Sequence, residues 1–169
     1  MAVVIWIVIF SLTSSVYAEE SSNAIFMNLP PDPGAAGKLT LAGIDSDNDG
    51  VRDDVQRWIV VTYPNSQKTR MVLTQMAIND QKFILNASNP SVSLSTAKQM
   101  MLDEECIAYV QPKKYYRLGS DFKALFLNTY TRSKAWLQAD RHLSGTMFKG
   151  LSYENRKQGC SFNPDAMPN

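Results

Sequence analysis

The chain has 169 residues and a formal net charge of +1, with 17 basic and 16 acidic side chains. That balance gives no case for nucleic-acid binding, which calls for a strongly basic face. Its 44% hydrophobic content excludes an intrinsically disordered chain, and the length suits one domain with a real core.

The first element is apolar. Met1 to Ala18 carries no charged side chain, and Val3 to Phe10 is an unbroken hydrophobic run. Val16-Tyr17-Ala18 then places an aliphatic and a small residue at cleavage spacing, just before Glu19-Glu20. We read residues 1–18 as a secretory signal peptide cleaved after Ala18, although no Lys or Arg stands near Met1. The apolar part is short for an uncleaved anchor, which needs about 20 residues. A periplasmic or secreted location follows as an expectation. Residues 19–38 carry Pro30-Pro31, Pro33, Gly34 and Gly37 and predict an extended, partly mobile lead-in before a helical domain at 39–169.

The next stretch, Asp45-Ser-Asp-Asn-Asp-Gly-Val-Arg-Asp-Asp-Val-Gln56, concentrates carboxylates at alternate positions. Such crowding is unfavourable without a cation, and hard cations such as Ca²⁺ take oxygen ligands from flexible loops. Asp45, Asp47 and Asp49 offer side-chain oxygens, Gly50 permits a sharp turn, Val51 offers a carbonyl, and Asp53 follows as a direct or water-bridged ligand. The spacing resembles the calcium loop of EF-hand-like and thrombospondin type 3 modules. The resemblance covers some twelve residues and implies a metal site, not a fold or an activity. In that pattern the last position is a bidentate carboxylate; here it is Gln56. Either Gln56 supplies one neutral oxygen, or Asp54 substitutes, or the site is one ligand short. Fewer charged ligands predict weak affinity, roughly 10⁻⁴–10⁻³ M. The plainer alternative is a solvated acidic turn that caps a helix. No second acidic loop is present, so a paired EF-hand is not expected.

Helices follow. The first is expected from Asp53 to Tyr63, with Val55, Trp58, Ile59 and Thr62 at helical spacing and Pro64 as its end. Asn65 or Ser66 caps the second, whose inner stripe is Leu73, Met76, Ala77, Asp80, Phe83, Ile84 and Ala87. Asn89-Pro90 breaks it, and Ser93 or Ser95 opens a third helix reaching about Val110. The third helix is apolar on more than one face, from Met100 to Val110, which predicts a central position. Lys113-Lys114-Tyr115-Tyr116-Arg117 reads as a basic aromatic turn, either solvated or facing anionic lipid or a partner. Gly119-Ser120 opens a fourth helix with Phe122, Leu125 and Phe126 inward. A last helix starts at Thr131 and stops before Gly145, and the remainder is expected to be irregular. The fold class is therefore all-α, four or five helices in a single domain, entered through the acidic loop.

Cys106 and Cys160 are the only cysteines, and export favours a disulfide between them, worth on the order of 4 kcal/mol by chain entropy, over two free thiols or a metal pair. His142 is the single histidine; with Asp140, Arg141 and Ser144 nearby it invites a catalytic reading, but helix neighbours one or two positions apart point in different directions. Asp103-Glu104-Glu105 reads as an exposed acidic face. The functional expectation is an exported, calcium-binding, non-enzymatic structural or protein-interaction module. The alternatives are an immunity or inhibitor protein against a secreted toxin, and, behind it, a hydrolase. The pattern of leader, acidic loop, helices and late cysteine loosely resembles small exported bacterial proteins.

Overall fold

The computed structural model describes residues 29–168, so the signal peptide expected at 1–18 and residues 19–28 of the lead-in lie outside the described residues. Among those described there are five α-helices and no strand. The helices are α1 (Asp53–Thr62), α2 (Gln67–Leu85), α3 (Pro90–Val110), α4 (Tyr115–Phe126) and α5 (Tyr130–Arg141). Short 3-10 turns lie at Ala36–Lys38, Tyr153–Gly159 and Pro164–Ala166. The all-α expectation is met. None of these helices is long and apolar enough to cross a membrane.

Side-chain caps set three of the five helix starts. Ser66 caps α2, its hydroxyl accepting from the Thr69 N–H at 3.4 Å. Thr129 caps α5 in the same way, accepting from Arg132 N–H at 3.2 Å. Two starts differ from expectation. The third helix begins at Pro90 rather than at Ser93 or Ser95, because Asn89 accepts from Val92 N–H at 3.2 Å and Pro90 occupies a first-turn position that needs no N–H. Asn89-Pro90 is thus a helix start as well as a helix break. The fourth begins at Tyr115 rather than at Gly119-Ser120, so part of the expected basic turn is helical. The driving residues are Leu118, Phe122 and Phe126, which repeat every four positions and are all buried. The tail is also less irregular than expected, since it carries two of the 3-10 turns.

The core lies between α2 and α3 and takes in one face of each other helix. Val55, Ile59, Val72, Leu73, Phe83, Ile84, Ile107, Phe122 and Phe126 are each at most 2% exposed. Burying one such side chain stabilises the fold by about 1.5–3 kcal/mol. α3 packs on α2, α4, α5 and the 153–159 turn, which is the central position its apolar faces predicted. The tail is fixed to α3 by the Cys106–Cys160 disulfide, with Cα atoms 4.8 Å apart. Gly159 lies so close to α3 that a Cβ there would come within 2.3 Å of the Leu102 carbonyl oxygen. Gln75 adds a polar tie, donating to the Gly159 carbonyl at 2.8 Å and accepting from Ser161 N–H at 2.7 Å.

The described part of the lead-in is docked. Arg57 donates to the Pro30 carbonyl at 2.7 Å, and Gly37 is buried.

Candidate metal centre

The acidic loop is closed at its base by main-chain and side-chain contacts. Asp53 N–H donates to the Ile44 carbonyl at 2.8 Å, and Asp53 Oδ1 accepts from Ser46 N–H at 2.9 Å. Between these ties the chain turns through two left-handed positions, Asn48 at φ 57° and Gly50 at φ 88°. Asn tolerates that region and Gly enters it without strain, which is why this sequence can fold the loop so tightly. The turn wraps around Asp45, whose Oδ1 and Oδ2 accept from the N–H groups of Asp49 at 3.2 Å and Gly50 at 3.0 Å. Val51 is buried, and its N–H donates to Asp49 Oδ1 at 2.8 Å.

This geometry brings Asp45, Asp47 and Asp49 together: each offers a carboxylate oxygen, and these oxygens lie within 4.8 Å of one another. Asp45 is partly buried and the other two are exposed. The trio can hold a metal ion. Asp53 is not part of the converging group and is itself 1% exposed, acting at the loop's base. Asp54 is committed elsewhere, accepting from Arg52 at 2.9 and 3.1 Å and from Asn128 at 3.0 Å. Gln56 does reach the cluster: its amide nitrogen lies 3.2 Å from Asp47 Oδ2, while its carbonyl oxygen is buried without a partner. A rotation of the amide by half a turn would exchange the two atoms and present the oxygen to the cluster.

The electrostatics follow from the crowding. The Asp49 carboxyl titrates above its ordinary range, pushed up by partial burial and by the charges of Asp47, Asp45 and Asp53, against the Val51 hydrogen bond. Asp54 titrates below its ordinary range. Burial pushes it upward, but the Arg52 hydrogen bond and charge, the Asn128 hydrogen bond and the Arg132 charge outweigh that.

Beneath the loop lies a feature that sequence reasoning missed. Arg52 and Arg132 are among the largest fully buried side chains. Arg52 pairs with Asp54, donates to the Phe126 carbonyl at 3.0 Å, and stacks its guanidinium 4.7 Å from the Phe126 ring centre. Arg132 donates to the carbonyls of Gly37 at 2.6 Å, Thr40 at 3.3 Å and Leu41 at 3.2 Å, and also to Asn128 Oδ1. Gly43 has to be glycine here, since a Cβ would sit 2.5 Å from Arg52 Cδ and 2.8 Å from an Arg132 nitrogen. The loop therefore rests on a polar hub that joins the lead-in, α1 and the α4–α5 turn.

A second set of carboxylates lies deeper. Asp80 on α2 is 3% exposed and pairs with Lys123 of α4 at 2.7 Å. Asp103 on α3 is 2% exposed and accepts from Gln75 at 2.6 Å and from Asn79 at 2.8 and 3.1 Å. The expected exposed acidic face is thus corrected: Asp103 points inward, Glu105 pairs with Arg156 at 3.0 Å, and of the three only Glu104 is exposed. Burial raises both buried carboxyls to about 6, against the Lys123 charge at Asp80 and the amide hydrogen bonds at Asp103.

His142 follows the end of α5, and its Nε2 lies 3.1 Å from the Ala87 carbonyl oxygen. A carbonyl can only accept, so Nε2 is the donor in this contact. Asp140 and Ser144 instead line a shallow surface depression with Arg141 and Leu143. No protein-family model matches the chain, and no curated protein or solved structure is significantly similar to it.

Proposed function

We propose that the protein is an exported calcium-binding helical module that is not an enzyme, in which the ion fixes the entry into α1 and ties the lead-in to the helical body. The carrying observation is the convergence of the Asp45, Asp47 and Asp49 oxygens within 4.8 Å of one another, with no basic side chain pairing them among the described residues. In this reading the Val51 carbonyl and the Gln56 amide oxygen complete the ligand set, and Asp53 contributes through water. Carboxylate, carbonyl and water oxygens suit Ca²⁺ better than softer metals. A neutral closing ligand keeps affinity roughly in the 10⁻⁴–10⁻³ M class, matched to compartments where calcium is millimolar. Export is supported by the Cys106–Cys160 disulfide, which belongs to oxidising compartments. The body so rigidified would present its surface to a protein partner.

Calorimetry with calcium on the native chain and on Asp47→Ala tests the reading. The native chain is expected to bind one ion in the stated range and the variant to lose binding. Heat-silent titration of the native chain at millimolar calcium would overturn it.

A further inference from the structure

A cavity of about 240 Å³ opens between α2, α3, α4 and α5, remote in composition from the acidic loop. Three methionines, Met76, Met100 and Met101, and the Trp136 indole form its apolar walls. Its polar lining is Asp80, Asp103, Glu104 and Lys123. We propose that this cavity is a binding site for a small organic ammonium ion with an apolar body.

The charge sign decides against an anion, since three carboxylates face one ammonium. The protein itself shows how an ammonium is accommodated there. Lys123 Nζ lies 2.7 Å from Asp80 and 3.4 Å from the centre of the Trp136 ring, held between a carboxylate and a π-face. That occupies Asp80, but not the remaining negative charge. Asp103 is oriented by Gln75 and Asn79, whose three hydrogen bonds leave about one of its four acceptor positions open. Gln75 is in turn held by the Gly159 carbonyl and Ser161 N–H, so the carboxylate is preorganised by the disulfide-anchored tail. Glu104 stands exposed at the rim with no ion pair among the described residues. A ligand ammonium would sit at the open acceptor position of Asp103, with the Glu104 charge at the rim adding attraction and its carbon chain along the methionines, whose thioethers adapt to irregular shapes. The volume lies below the roughly 300–1,000 Å³ of a drug-sized pocket, which limits the ligand to a short chain. A hard divalent ion is disfavoured, because thioether and indole walls replace the oxygens it would need.

The test is a titration of the disulfide-bonded chain with n-hexylammonium, followed by NMR of the methionine methyl groups, with 1-hexanol as the uncharged control. The expected result is saturable shifts at Met76, Met100 and Met101, with the alcohol binding at least about tenfold more weakly. Asp103→Asn, which preserves shape, is expected to reduce the ammonium's advantage to within a few-fold. Should that variant not fold, Glu104→Gln at the exposed rim is read instead and is expected to weaken hexylammonium alone. Equal affinity for amine and alcohol, absence of saturable shifts at these methyls, or an unchanged ammonium preference in the variant read overturns the proposal.

Discussion

The chain gathers carboxylates twice and handles them in opposite ways. In the loop, Asp45, Asp47 and Asp49 come from five consecutive residues, lie at or near the surface, and pair with no basic side chain among the described residues. In the bundle, Asp80 and Asp103 come from different helices, are almost fully buried, and are answered from within by Lys123, Gln75 and Asn79. Water can screen the first set but not the second, so the buried set has to carry its own partners, whereas the loop can leave that role to an ion from solution. An acidic cluster that lacks basic partners is informative mainly when the chain elsewhere pairs its carboxylates carefully.

Acidity separates the two sets most strongly. Asp80 and Asp103 titrate near 6 in the folded chain and near 3.8 when free, so the folded state holds protons that the unfolded state has released. Stability is therefore greatest below about pH 4 as far as these groups decide, falls as pH rises through about 6, and is level above. Each carboxyl accounts for at most about 3 kcal/mol of that fall. Asp54, held low by Arg52, acts in the opposite sense and only below its ordinary range, where acid removes its contribution. Urea melts across pH 4–8 check the sign, and Asp103→Asn is expected to flatten the slope.

Lys123→Met should come next in size. It strands the buried Asp80 charge, and removing one partner of a buried pair costs roughly 3–5 kcal/mol, taken at the lower end because Lys123 is 32% exposed. Adding Asp80→Asn to that variant should recover most of the loss, measured by denaturant midpoint at pH 8. A double variant as unstable as the single would mean that Lys123 acts through its contact with Trp136.

The smallest change is expected from calcium, acting on the loop alone. At about 10 mM ion and the affinity class above, stabilisation is about 1.4–2.7 kcal/mol. Chelator should reverse it, Asp47→Ala should abolish it, and Asp103→Asn should leave it intact. Thermal melts with and without chelator check all three.

The same contrast explains what could be read in advance. The loop was legible because its members sit at fixed short offsets with a glycine at the turn, so spacing alone carries the chemistry. The helices were legible from apolar period and from caps such as Ser66. Their starts were missed where the deciding residue had a second use: Asn89-Pro90 reads as a breaker yet begins α3. The buried set was not legible, because Asp80, Asp103 and Lys123 meet only when three helices pack, and nothing local distinguishes Asp103 from its exposed neighbour Glu104. A weak signal did exist in Asp80, the one charged residue on the inner stripe of α2. Arg52 and Arg132 gave none, since a lone arginine at or near a helix N-terminus ordinarily faces water.

Arg132 carries one more consequence, for the order of events during folding. It grips the Gly37 carbonyl across 95 residues of chain and Leu41 across 91. Closing a contact over that span costs loop entropy that only an assembled body can offset. The segment that emerges early therefore becomes anchored late, after α5 has taken its place. The acidic turn, seated on that anchor, is expected to mature with the last step rather than seed the first. Calcium should accordingly slow unfolding far more than it speeds refolding.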